Sequence, residues 1–114
     1  MSLYQDHKDD LLIIRYESGY AFEMRYLDEG TLHWRALAET VGDAAGEGTE
    51  GFAYYEIAPG IYNLNWVEEA GVVISQIVDF PSGKVYAFMT WPDEEGRGGR
   101  GSLMHKGTLE IAGR

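Results

Sequence analysis

A two-residue alternation of apolar and polar side chains, broken at short intervals by glycine, proline and acidic turns, restricts this chain more than any other feature. Side chains of an extended strand point to opposite faces in turn, so the pattern specifies strands with one dry and one wet face. Tyr20, Phe22, Met24 and Tyr26 alternate with Ala21, Glu23 and Arg25. Beyond Asp28-Glu29-Gly30, Leu32, Trp34 and Ala36 alternate with Thr31, His33 and Arg35. These two segments read as a hairpin, with Gly30 suited to the tight turn. After the Ala58-Pro59-Gly60 turn, Tyr62, Leu64 and Trp66 alternate with Asn63 and Asn65 in the same way.

Leu11–Tyr16, Phe52–Ile57, Val72–Phe80, Lys84–Trp91 and Leu103–Ile111 complete a set of eight expected strands. Glu39–Gly51 and Pro92–Gly101 are rich in glycine and charge and are expected as mobile loops. Residues 1–10 read as a polar lead-in, and any helix should be short and lie outside the strands. Closing eight consecutive antiparallel strands removes both hydrogen-bonding edges, so an up-and-down barrel is the expected architecture, with an open sandwich as the alternative. A chain of 114 residues supports one such domain, spanning 1–114.

Charge and composition exclude several functions. The formal charge is −10, from 19 acidic against 9 Lys and Arg residues, so a nucleic-acid partner is not expected. A membrane helix needs roughly 20 consecutive apolar residues, which the chain lacks. The polar start does not resemble a secretory signal, and cysteine is absent, which removes disulfides and thiolate chemistry. A cytoplasmic location is expected. The histidines lack metal-ligand spacing, so neither a metal nor another cofactor is expected.

Aromatic residues are abundant, with three Trp, eight Tyr and four Phe. Tyr16, Tyr20, Phe22, Met24, Tyr26, Trp34, Tyr62 and Trp66 share the inward phase. Buried Tyr hydroxyls and Trp N–H groups need partners, which suits a semi-polar pocket better than dry packing. Glu68 continues the phase of Tyr62, Leu64 and Trp66 and should sit at one mouth of the barrel. Gln76 shares a face with Ile74 and Val78 and is a second polar candidate for the interior.

The block from Ile57 through Gly60-Ile61-Tyr62, Trp66, Glu68 and Gly71 to Ser75–Phe80 and Tyr86–Pro92 resembles the MoaF-like proteins. These take their name from the molybdenum cofactor biosynthesis protein F and belong to the calycin, or lipocalin-like, barrels. The likeness covers roughly residues 11–111 and includes His105–Glu110. It implies the same barrel and carries no defined activity. A more distant similarity is to phenolic acid decarboxylases, whose first strand bears two tyrosines one residue apart. Ile14 and Tyr16 stand at those places here, and Trp66, Glu68 and Gly71 match that family's tryptophan, phenol-binding glutamate and turn glycine. The family's carboxylate-binding arginine has no counterpart, because no Lys, Arg or His lies between Arg35 and Lys84. Losing that charge-assisted contact forfeits roughly 1.5–3 kcal/mol, which argues against the decarboxylase mechanism.

The expected function is therefore binding of a small, partly apolar or aromatic molecule, with Tyr16, Trp34, Tyr62, Trp66, Glu68 and Gln76 as ligand contacts. The alternative is a lyase or isomerase on a phenolic or enol-like substrate, with Glu68 as acid–base and Tyr16 as proton donor. A filled, purely structural barrel is the third reading. Arg97 or Arg100 could supply a cation if their loop folds over a mouth. Ile61, Val67, Val73 and Ile77 form an outward apolar surplus that points to a homodimer.

Overall fold

A computed structural model describes residues 2–40 and 46–113. A short helix, α1 (Leu3–His7), precedes nine strands: β1 (Leu12–Tyr16), β2 (Ala21–Asp28), β3 (Thr31–Ala36), β4 (Glu47–Gly51), β5 (Ala53–Ala58), β6 (Ile61–Val67), β7 (Val73–Asp79), β8 (Lys84–Pro92) and β9 (Arg100–Ile111). They form one antiparallel sheet in the order β4-β3-β2-β1-β9-β8-β7-β6-β5. Only Phe52 separates β4 from β5, so the two edges of the sheet belong to a single kinked stave. The sheet thus curls into a nearly closed barrel.

The expected count of eight becomes nine because part of the Glu39–Gly51 segment is a strand. Glu47–Gly51 pairs with β3, setting Trp34 against Gly48 and Leu32 against Glu50. Its alternation is written in glycine, threonine and glutamate, and backbone pairing with β3 supplies what side-chain propensity lacks. Residues 41–45 of the expected loop lie outside the described residues. At the other expected loop, β8 runs through Pro92 and β9 begins at Arg100, which narrows the turn to Asp93–Gly99.

The kink at Phe52 leaves a seam. Below it, β5 pairs with β6 from Ala53↔Asn65 to Ala58↔Ile61. Above it, β4 pairs with β3 alone. Continuing the β5–β6 register past Phe52 would set Glu50 opposite Glu68, two like charges for which facing positions are unfavourable.

Leu12, Ile14, Leu64, Val78 and Val85 are fully buried between the staves. Each such side chain contributes about 1.5–3 kcal/mol of transfer free energy. The lead-in is more than polar chain, because α1 closes one end of the barrel. Ser2 caps it by accepting from the Gln5 amide at 3.1 Å, and Leu3 is fully buried. His7 stacks on Phe80 at 3.7 Å and bonds Asp10 at 2.9 Å. The opposite end carries the β1–β2, β6–β7 and β8–β9 turns and stays open.

Candidate functional site

The open end leads into a cleft of about 340 Å³. Inward positions of seven strands and two turns meet there because each strand keeps its alternation up to the rim.

The floor is polar. Gln76 Nε2 donates to the Tyr16 hydroxyl at 2.9 Å, while the buried Gln76 Oε1 has no hydrogen-bond partner. Burial pushes the Tyr16 hydroxyl up to about 12, against the opposing effect of the Gln76 bond. Deeper in the core, the Tyr26 hydroxyl is also buried without a partner, and burial raises its pKa. Groups of this kind are rare in folded proteins and each calls for a reason.

The walls are aromatic. Tyr20, Phe22 and Trp34 form one side, with Phe22 and Trp34 edge to face at 5.8 Å. Trp66 and Trp91 line the cleft from β6 and β8. His105 stacks on the Tyr16 ring at 3.7 Å and pairs through Nδ1 with Ser18 Oγ at 2.8 Å. Burial lowers the His105 pKa, so the ring is neutral at neutral pH.

Glycines make room for two of these indoles. A Cβ on Gly48 would lie 3.0 Å from Trp34 Nε1, and one on Gly101 would lie 2.6 Å from the Trp91 ring.

Two carboxylates orient the tryptophans at the rim. Trp34 Nε1 donates to Glu50 Oε2 and Trp66 Nε1 donates to Glu68 Oε2, both at 3.0 Å. Glu68 is half-buried, and that burial holds its carboxyl above the ordinary range. The bond from Trp66 opposes the shift and the charge of Glu50 adds to it. The two acids therefore interact across the seam between β4 and β6.

Tyr16, Trp34, Trp66, Glu68 and Gln76 thus come together, as the sequence led us to expect. Tyr62 does not join them. It is buried toward the plugged end, edge to face with Tyr54 and Phe80. Inward phase alone cannot say how far along the barrel a residue lies. Neither Arg97 nor Arg100 supplies a cation. Arg97 is exposed, and Arg100 donates to the carbonyls of Gly71 at 2.7 Å and Thr90 at 3.2 Å, tying the β6–β7 turn to β8. Among the described residues, no Lys or Arg lines the cleft.

Tyr20, Trp91, His105 and the rim acid Glu50 were not among the expected contacts. The phase Val85, Ala87, Met89, Trp91 carries the signal for Trp91. Glu50 lies in a segment with no apolar alternation to mark it.

The arrangement can hold a flat apolar body between rings and accept hydrogen bonds at both floor and rim. The model of the MoaF-like family matches residues 11–104. A crystal structure from Burkholderia vietnamiensis, of a protein provisionally named a beta-lactamase, shares the fold with a TM-score of 0.75. It is 17% identical, and the likeness covers 90% of this chain and 92% of that one. No curated protein matches the chain.

Proposed function

This chain belongs to the MoaF-like family, and from that premise we propose that it is a calycin-like receptor for one small, partly aromatic molecule. The observation that carries the reading is the buried, unpartnered Gln76 Oε1 on the wall of an aromatic cleft. An unmade hydrogen bond costs about 1–3 kcal/mol, and Gln76 Oε1, unlike the Tyr26 hydroxyl deeper in the core, belongs to a side chain that lines the cleft. A cleft of about 340 Å³ suits a ligand of one or two rings. Tyr16, Trp34, Trp66, Glu68 and Gln76 are its proposed contacts, joined by Tyr20 and Trp91.

The enzyme alternative draws support from the raised Glu68 carboxyl, since acid–base work needs a proton available near neutrality. Against it stands Tyr16, whose high pKa makes the hydroxyl a reluctant proton donor.

A cytoplasmic setting and a homodimer belong to the same proposal. No described helix is long and apolar enough to cross a membrane. Of the four residues expected to drive pairing, Val67 is exposed, whereas Ile61, Val73 and Ile77 are half-buried in the wall. A stronger basis is the outward strip of Ile77, Tyr86, Phe88 and Met104, the last 79% exposed.

The test is calorimetric titration with 2-phenylethanol, a neutral aromatic probe, together with mass spectrometry of any molecule released on denaturation. Saturable binding of one equivalent, abolished by Trp66→Ala, is the expected result. Absence of binding up to millimolar concentrations of this probe or of its amine and carboxylate analogues, with nothing released, would overturn the proposal.

A further inference from the structure

We infer that the ligand is a cation, a protonated organic amine on an aromatic body, with its ammonium at the seam between Glu50 and Glu68. This rests on the receptor reading above and names the class of molecule received.

Charge is the first argument. Among the described residues, Glu68 and His105 are the ionisable groups other than tyrosine that line the cleft, and burial lowers the His105 pKa, which favours its neutral form. No described Lys or Arg lines it, and the chain as a whole carries −10. An anion entering here would shed its water against a negative rim and find no cation.

The open polar positions point the same way. Each rim glutamate uses Oε2 to hold an indole N–H, which leaves its other oxygen available. At the floor, Gln76 is 2% exposed and its Oε1 lacks a partner. The two free carboxylate oxygens at the rim are acceptors, which an ammonium, a donor with three N–H groups, complements, while Gln76 Oε1 is open to a donor elsewhere on the ligand.

The walls then supply what a desolvated cation needs. Trp34 and Trp66 stand beside the acids that orient them, and their faces attract a positive charge through the ring quadrupole. The seam itself is a consequence of the fold. Because β4 leaves β6 at Phe52, no ladder joins the segments that carry the two glutamates, and the charge of Glu50 still acts on Glu68 across the gap. A cation between them relieves a repulsion that the free protein has to bear.

The experiment compares three probes of one shape by calorimetry: 2-phenylethylamine, 2-phenylethanol and 3-phenylpropionate. The amine should bind at least about tenfold more tightly than the alcohol, and its affinity should fall with salt while the alcohol's does not. The carboxylate should bind most weakly. Glu68→Gln keeps an acceptor for Trp66 Nε1 and should reduce the preference for amine over alcohol to less than about threefold. A preference that survives this substitution, or an alcohol or carboxylate that binds as well as the amine, overturns the inference and leaves the receptor reading standing. If none of the three binds, both fall.

Discussion

Replacing Tyr16 by Phe and Gln76 by Leu, singly and together, measures what the polar floor of the cleft costs the fold. Tyr16→Phe keeps the ring on His105 but leaves both ends of the Gln76 amide unpartnered, so it should destabilise by about 1–3 kcal/mol. Gln76→Leu has two opposing effects of similar size. It strands the Tyr16 hydroxyl, costing about 1–3 kcal/mol, and removes the orphaned Oε1, recovering about as much. Its net change should stay within about 1 kcal/mol of zero. The double variant removes every orphan at once and should equal or exceed the parent, by up to about 2 kcal/mol. Urea unfolding followed by the fluorescence of Trp34, Trp66 and Trp91 gives the four free energies. A double variant less stable than both singles would refute the reasoning, since it would show that the pair supports the fold instead of burdening it.

Gly101→Ala places a methyl group against the Trp91 ring and should shift that indole into the cleft, weakening probe binding at least about tenfold in calorimetry while the protein stays folded. Glu68 has a raised folded-state pKa, so the folded chain holds that proton more tightly than the unfolded one. Its contribution is therefore full below the ordinary carboxyl value of 4.5 and declines as pH rises through the higher folded value. The stability of Glu68→Gln relative to the parent should accordingly improve from about pH 4 to about pH 7 in urea melts, and a constant difference would contradict this. Leu3→Ala opens the plugged end and should lower stability by about 2–5 kcal/mol, a loss that thermal unfolding will register. Phe88→Lys on the outer strip should convert a dimer at tens of micromolar to monomer in sedimentation, and a parent that is already monomeric would remove the dimer from the proposal.

The strands were legible wherever alternation is written in apolar and aromatic residues. Tyr20–Tyr26, Leu32–Ala36 and Tyr62–Trp66 sit inside β2, β3 and β6 or next to them, with the expected faces turned inward. The same alternation turns Tyr16, Trp34, Trp66, Glu68 and Gln76 inward, and the structure gathers them around one cleft. It could not show that Glu47–Gly51 is a strand, because glycine and glutamate carry almost no burial signal and the ladder to β3 is a backbone affair. Nor could it show that Leu3 is a plug, since one apolar residue in a five-residue helix has no period to read.

By itself, then, the sequence determined the fold class, the inward face of most strands and the place of Glu68 at one mouth, because these depend on local patterning. Only the tertiary structure decided where along the barrel each inward residue lies. Stagger between strands sends Tyr62 toward the plugged end and brings Trp91 and His105 to the cleft, and stagger is a property of the closed sheet as a whole. The pairing of Glu50 with Glu68 across the seam has the same origin. Eighteen positions separate them along the chain, and the curl of the sheet leaves Glu68 within reach of the Glu50 charge across the seam that the kink at Phe52 opens.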